Sequence, residues 1–236
     1  MTAHRARPRR GLSPFTVIGE VLLTVAAFFA GFLLWVVWGS DLQADARQGD
    51  LLESAGLGMI GPDVRVGPML TDGVPVITGD GVYAALWVPR WGADYQVPIA
   101  QGTGLDVLNT AGIGHYTWTQ EIGEVGNAGL AAHRTSYGSP FRGVDKLTPG
   151  DAVVVEGHDA WLVYEVVGHD IVRAWQVEVL DPVPPVDAAE EGDRYLTLTT
   201  CHPLFGTAER FIVWAEFAYW TPKAEGVPPA LAGVVT

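Results

Sequence analysis

The feature that most constrains this chain is a run of eighteen residues without a charged side chain, from Val21 to Trp38. An α-helix rises about 1.5 Å per residue, so about twenty apolar residues cross the ~30 Å hydrocarbon core of a bilayer. Four arginines precede the run, namely Arg5, Arg7, Arg9 and Arg10. By the positive-inside rule, we predict a cytoplasmic basic tail over residues 1–16 and a transmembrane signal-anchor over residues 17–39. We expect a single-pass protein of the cell membrane, in contact with the lipid bilayer, whose remaining residues are extracellular.

A cleaved signal peptide is the alternative interpretation, because Ala44-Asp45-Ala46 resembles a small-x-small cleavage site. The apolar core of a signal peptide usually has about 7–15 residues, which is shorter than this run. We therefore favour an uncleaved anchor. Under either interpretation, most of the chain lies outside the cytoplasm.

The composition limits the classes of function. The chain has 236 residues and is 48% hydrophobic, which is enough apolar material for a packed core. A formal net charge of −13 argues against a nucleic-acid partner, which would require a basic face. Cys201 is the single cysteine of the chain, so an internal disulfide and a CxxC-type zinc or redox site are excluded. We expect neither a metal nor a cofactor.

Short apolar runs separated by turn residues predict a mainly β domain over residues 76–222. The predicted strands are Tyr83–Val88, Ala128–His133, Ala152–Glu156, Ala160–Val167, Val177–Leu180, Tyr195–Cys201 and Arg210–Tyr219. Seven or eight short strands indicate a small closed β-barrel or a sandwich. We expect residues 40–75 to form a juxtamembrane stalk and residues 223–236 to form a C-terminal tail.

Cys201 is the first candidate for chemistry. It ends the predicted strand TLTTC, and His202-Pro203 follows it. A lone thiol is usually a small buried hydrophobe. Its position at the end of a strand favours a chemical role, and so does export, because an unpaired extracellular thiol is prone to oxidation.

Arg210 opens the next predicted strand. If the two strands pair as a hairpin, Arg210 emerges almost opposite Cys201. A guanidinium held there could stabilise an oxyanion or orient a substrate carbonyl. The alternative is a surface ion pair with Glu209 or Glu216.

A cysteine nucleophile needs a proton partner, which is usually a histidine. His133 ends the apolar run AGLAAH and therefore also lies at the end of a predicted strand. His202 adjoins the cysteine but points to the other side of an extended strand. His115, in GIGHYTW, is a weaker candidate. We favour His133 as the partner of Cys201.

Taken in order, these segments resemble a sortase, the cysteine transpeptidase of Gram-positive cell surfaces. The family signature is a TLxTC strand, an arginine one loop later and a histidine well upstream, and here these are TLTTC, Arg210 and His133. The finer resemblance is to class E, the actinobacterial housekeeping type. It rests on LWVPRWGADYQVPI, GIGHY, GNAGLAAHRTSYGSPFRGVDKLTPGD, TLTTCHP and AERFIVWAE, which together cover roughly residues 80–220.

The resemblance implies an eight-stranded β-barrel with short helices and a two-step acyl transfer. Cys201 would attack the Thr–Gly bond of an LPxTG-like sorting signal on a surface protein, with LAxTG favoured in class E. An amine of a lipid II-like peptidoglycan precursor would then resolve the thioacyl enzyme. His133 would transfer the protons and Arg210 would hold the carbonyl or oxyanion. The residues that would line the substrate site are Thr200, Tyr116, Tyr137 and His115.

Two alternatives remain open. One is a sortase of another class, such as a pilin-polymerising enzyme, although we find neither an Asp-Pro-aromatic lid segment nor a second apolar span in this sequence. The other is a non-catalytic, membrane-tethered β-barrel that binds cell-wall material and keeps its cysteine inert. The chain also departs slightly from the family pattern, because it reads AAHRT where AGHRT is commoner.

Overall fold

The computed structural model describes residues 13–35, 40–58, 60, 65–187 and 189–233. Most of the predicted basic tail, residues 1–12, lies outside the described residues, as do residues 36–39 at the end of the predicted anchor. The chain divides into two compact units, Met1–Ser40 and Asp41–Thr236.

Helix α1 (Pro14–Leu34) forms the first unit and confirms the predicted apolar N-terminal helix. It starts at Pro14, whose missing N–H costs nothing in the first turn of a helix. Within the described part of the chain, the segment Pro14–Phe32 is the one helical stretch that is long and apolar enough to cross a membrane, and none of it is buried. A helix that is apolar on all sides and uncovered by protein is typical of a lipid-facing segment.

Among the described residues of the second unit, eight strands close into one barrel, which confirms the barrel rather than the sandwich. The strands are β1 (Val82–Trp87), β2 (Gln96–Gln101), β3 (Ile113–His115), β4 (Gly126–Ala132), β5 (Ala152–Glu156), β6 (Ala160–Arg173), β7 (Arg194–His202) and β8 (Glu209–Pro222). Their order around the barrel is β1-β2-β3-β4-β7-β8-β6-β5. The pairs β2–β3 and β4–β7 are parallel, and the other neighbours are antiparallel.

The barrel interior is filled by every second residue of the strands, because successive side chains point to opposite faces. Leu86, Ile99, Leu130, Leu198 and Val213 come from five different strands, and all are fully buried in the central core. The outward-facing residues of the same strands are therefore free to pack against covering segments or to form a site.

The predicted strand Val177–Leu180 is wrong, because these residues form a short 3-10 helix. Val179 and Leu180 are buried against Trp214 on the outer face of β8. Their apolar pattern thus reflects burial against the sheet and not membership of it. The strand pattern of the sequence also does not predict β2, where Pro98 removes a backbone donor, or β3, which has three residues.

The expected stalk and the expected tail both contribute to the packing of the second unit. Helix α2 (Ser40–Ser54) leads to Leu57, and Leu52 and Leu57 are buried in a second apolar cluster. Leu231, in the short helix Pro229–Ala232, joins the same cluster. This cluster covers the outer side of the barrel around Trp161.

A buried carboxylate joins these covering segments to the barrel. The Oε2 atom of Glu156 accepts hydrogen bonds from the Gly58 N–H at 3.0 Å and from Trp87 Nε1 at 2.9 Å. Its Oε1 atom accepts one from Lys223 Nζ at 2.6 Å. The Lys223 ammonium also lies 5.3 Å from the ring centroid of Trp161. One side chain of β5 therefore holds the segment before the barrel and the segment after it.

We expect Lys223→Met to lower the free energy of unfolding of residues 41–236 by about 2–3 kcal/mol, because it removes the charged partner of a buried carboxylate. Urea denaturation at constant pH measures this change. Arg90→Met is the control, since Arg90 is exposed and lies 3.7 Å from Asp151, and an exposed pair contributes about 1 kcal/mol or less. Equal effects of the two substitutions would contradict the role given to Lys223.

Candidate active site

The three predicted catalytic residues lie in one row across neighbouring strands. In the register of β7 and β8, Cys201 is directly opposite Arg210, as the hairpin pairing predicts. In the parallel register of β4 and β7, Ala131 is opposite Thr199. His133 follows the end of β4, and the same register, extended by two residues, would place it beside Cys201. The contact of the next pair, Arg134 with His202 at 3.1 Å, agrees with this extension. Because paired residues share one face of a sheet, all three side chains emerge on the same side.

This row lies on the outer face of the barrel. Leu198 and Val213 point inward, so Cys201 and Arg210, which differ from them by odd numbers of residues, point outward. Cys201 is partly exposed. This exposure differs from the buried cysteine that a non-catalytic barrel would have.

The threonines of TLTTC hydrogen-bond β7 to its neighbour β4. Their hydroxyls reach across to β4, with Thr197 Oγ1 2.7 Å from Asn127 Oδ1, Thr199 Oγ1 3.1 Å from Leu130 O and Thr200 Oγ1 2.7 Å from Ala132 O. These bonds supplement the backbone ladder of a parallel pair. They fix the end of β7, and with it Cys201, against the end of β4.

His133 is held by a residue that the sequence did not reveal. Its Nε2 atom lies 2.8 Å from Oδ1 of Asn109, at the end of the short helix α3 (Leu105–Leu108). An amide oxygen accepts hydrogen bonds, so this contact places the ring proton of a neutral imidazole on Nε2 and leaves Nδ1 without one. Burial of the half-buried ring lowers the pKa of His133 below its ordinary value.

Tyr137 packs directly on His133. The two rings are stacked, with their centroids 5.2 Å apart. Tyr137 lies in a loop of three left-handed non-glycine residues, Ser136, Tyr137 and Ser139, whose φ angles are 75°, 51° and 48°. The loop returns to its start, because the Phe141 N–H donates to the His133 carbonyl at 3.0 Å. This conformation keeps the tyrosine ring against the imidazole.

Arg210 is oriented by the loop that connects β7 and β8. Its Nη1 donates to the carbonyl oxygens of Thr207 and Glu209, each at 2.9 Å. The carboxylate of Glu209 lies 3.8 Å from Arg173, so its contact with Arg210 is through its backbone. A guanidinium has five N–H donors, so a planar group anchored through Nη1 has further donors for a substrate oxygen.

Tyr116 also faces the outer side of β7. Its hydroxyl lies 3.1 Å from Thr199 Oγ1, and Thr199 donates its own proton to Leu130 O. The Tyr116 hydroxyl is therefore the donor in this contact. Tyr116, which directly follows β3, and Tyr137, in the loop after β4, thus border the outer side of β7 and β4.

The side chains of the other two residues predicted to bind substrate do not belong to this row. Thr200 is only 3% exposed and its hydroxyl bonds to β4. His115 is fully buried, with Nδ1 3.1 Å from Gln101 Oε1 and Nε2 2.9 Å from the Gln120 carbonyl oxygen. The structure therefore brings Cys201, His133, Arg210, Tyr116 and Tyr137 to one region, and it gives Thr200 and His115 contacts within the barrel.

His202 lies on the other side of β7, as the alternation of side chains predicts. A buried arginine, Arg134, donates from Nη1 to His202 Nδ1 at 3.1 Å. The same guanidinium contacts Asp145 at 3.2 Å and lies 5.4 Å from the ring centroid of Phe211. The sequence indicated Arg134 only as the neighbour of His133. Its role is to hold the residues behind the row.

Comparisons with known proteins identify the family of this chain. The sortase domain family matches residues 86–218. Sortase SrtE1 of Streptomyces coelicolor is 32% identical over 97% of this chain and 64% of its own length. The present chain thus spans just under two thirds of that relative.

Solved structures give the same family. The SrtA sortase from Actinomyces oris is 44% identical, with a TM-score of 0.64, over 69% of this chain and 96% of that structure. Sortase E1 from Streptomyces coelicolor, solved with a tripeptide in the active site, is 38% identical, with a TM-score of 0.61, over 64% of this chain and 97% of its own.

The lowered pKa of His133 predicts a pH-dependent stability. Between the lowered native pKa and the unfolded value of about 6.5, the unfolded chain binds a proton that the native protein does not. This part of the stability is therefore fully present above about pH 6.5 and is lost as the pH falls toward the native pKa.

We expect His133→Gln to reduce the slope of unfolding free energy against pH between about pH 5 and pH 7. Urea midpoints measured across this range give the slope. His158→Gln is the matched control, because His158 is an exposed histidine far from the row in sequence. A slope that persists in His133→Gln would contradict the assignment.

Proposed function

Because the chain belongs to the sortase family and is thus a sortase transpeptidase, we propose that it cleaves an LPxTG- or LAxTG-like sorting signal between Thr and Gly. It then joins the threonine carboxyl group to an amine of a peptidoglycan precursor. The observation that carries this proposal is the row formed by His133, Cys201 and Arg210 at the ends of β4, β7 and β8. We assign these three residues as the catalytic residues.

The first step is acyl transfer to the enzyme. The thiol proton of Cys201 passes to Nδ1 of His133, and the sulfur adds to the carbonyl carbon of the Thr–Gly bond. The carbon–nitrogen bond breaks, and the glycine amine leaves with the proton from His133. Since burial lowers the pKa of His133, its imidazolium is a ready acid toward that amine.

The second step reverses the proton movements. The acceptor amine attacks the thioester carbon and gives its proton to His133. The new amide forms as the carbon–sulfur bond breaks, and the sulfur regains its proton from the imidazolium. Arg210 faces the carbonyl oxygen in both steps, where fixed N–H donors stabilise the developing oxyanion.

Two tyrosines support a peptide substrate at this row. Tyr116 presents a polar hydroxyl beside Thr199, and Tyr137 is 40% exposed next to His133. We propose that both contact the sorting signal, as donors and as apolar surface. The tripeptide in the active site of the Streptomyces coelicolor sortase E1 supports a peptide ligand. Thr200 then acts through the position of β7 and not by contact.

The apolar helix supports a membrane location. We propose that α1 anchors the enzyme in the cell membrane, with the arginine-rich N-terminus in the cytoplasm and the barrel outside the cell. Sorting signals on exported surface proteins and amines on lipid-linked cell-wall precursors are both available there. The partners are therefore surface proteins, a lipid II-like amine and the bilayer.

We expect the protein to convert peptides containing LPxTG or LAxTG, in the presence of an amine library, into amide products with loss of the residues after threonine. Mass spectrometry identifies the products and ranks the two motifs. Cys201→Ala should form no product, because the chain has no other thiol. Full activity in this variant would contradict the proposed function.

We expect Arg210→Lys to lose at least about a hundredfold in kcat/KM, because losing an oxyanion donor costs on the order of 10²–10³ in turnover. A flexible ammonium does not reproduce the planar fork of a guanidinium. Arg173→Lys is the control, since Arg173 lies in an exposed pair with Glu209. If Arg210→Lys were as active as this control, Arg210 would contribute only its charge.

A further inference from the structure

We propose that helix α2 positions His133, and that it does so through two positioning residues, Asp41 and Gln48. This inference rests on the proposed function and extends it to a segment that the sequence marked only as a stalk. Neither residue is placed to touch the substrate. Both act through the loop from His133 to Phe141.

Two hydrogen bonds connect α2 to this loop. The N–H of Gly138 donates to Asp41 Oδ1 at 3.1 Å. Gln48 Nε2 donates to the carbonyl oxygen of Tyr137 at 3.4 Å. Arg142 adds a longer contact, with its guanidinium 3.8 Å from Asp41 Oδ2. The carbonyl and the N–H of the Tyr137–Gly138 peptide group are thus both hydrogen-bonded to side chains of one helix.

The spacing on α2 suits this task. Residues separated by three, four or seven positions share one face of an α-helix. Asp41, Ala44, Gln48 and Leu52 follow this spacing, and the last three are buried. Leu52 packs in the second apolar cluster, so the face that touches the loop is itself fixed to the barrel.

Gly138 makes the close approach of the helix to the loop possible. Its φ angle is 81°, which L-residues rarely adopt. A Cβ atom at this position would come within 3.2 Å of Gln48 and 3.4 Å of Ala44. Side chains of α2 therefore pack directly against the backbone of the loop.

The loop needs such support. Residues 136 to 139 are all left-handed, and three of them, Ser136, Tyr137 and Ser139, are not glycine. Left-handed backbone at such residues is costly, and it persists only when the surroundings hold it. Tyr137 transmits the effect, because its carbonyl oxygen bonds to Gln48 and its ring stacks on His133. Release of α2 therefore frees the ring that covers the imidazole.

The test uses the full-length protein, a sorting-signal peptide and an amine acceptor. We expect Asp41→Ala to lower kcat about tenfold with little change in KM, and Asp41→Ala combined with Gln48→Ala to lower it about a hundredfold, because misplacement by about 1 Å has effects of this size. Asp41→Asn should restore most of the activity, since its amide oxygen still accepts the Gly138 N–H.

Asp50→Ala is the matched control, because Asp50 is an exposed aspartate on the same helix. Rates are normalised to the fraction of folded protein, measured by circular dichroism, so loss of folded protein does not imitate loss of turnover. The proposal is overturned if Asp41→Ala matches Asp50→Ala, if Asp41→Asn is as impaired as Asp41→Ala, or if normalisation removes the defect.

Failure of this inference is distinguishable from failure of the proposed function. If the unaltered protein forms no Cys201-dependent product from any sorting peptide, the proposed function fails. If that product forms and the α2 variants have the normalised rate of the control, only the role of α2 fails.

Discussion

The parallel pairing of β4 with β7 is the constraint on which the site depends. It is one of two pairs, with β1–β5, that connect the first four strands of the barrel to the remaining four, and its register leads His133 and Cys201 to neighbouring strand ends. Parallel pairs are slightly less stable than antiparallel ones, and here three threonine hydroxyls add bonds between β7 and β4. Within TLTTC, the threonine hydroxyls therefore bind β7 to β4, and this binding determines where Cys201 lies.

The electrostatic setting of the row follows from neutral groups more than from charges. Asn109 and Tyr137 hold the imidazole, and burial lowers its pKa. No carboxylate takes the place of Asn109 at Nε2, so the imidazolium has no opposite charge bonded at that nitrogen. On the other side of Cys201, backbone carbonyls aim the guanidinium of Arg210. In the proposed mechanism, this setting makes the imidazolium of His133 a stronger acid than an ordinary histidine.

Much of this architecture could be predicted because its signals are local. Strand alternation and one short loop are enough to put Arg210 opposite Cys201 and His202 behind it. The unpredicted parts depend on contacts between distant segments. Asn109 is 24 residues from His133 in sequence, the Val177–Leu180 segment is apolar because it covers β8, and α2 has a mostly polar sequence whose buried face is seen only against the barrel.

Cys201 lies 68 positions after His133, and β5 and β6 are in the segment between them. Contacts between such distant segments form late, because the entropy of closing the intervening chain is lost before the contact rewards it. Until the barrel closes, the thiol of Cys201 is consequently not paired with the imidazole of His133. Under the proposed mechanism, completion of the barrel brings the nucleophile and its proton partner together, and a chain arrested before that event has a free thiol that is open to oxidation.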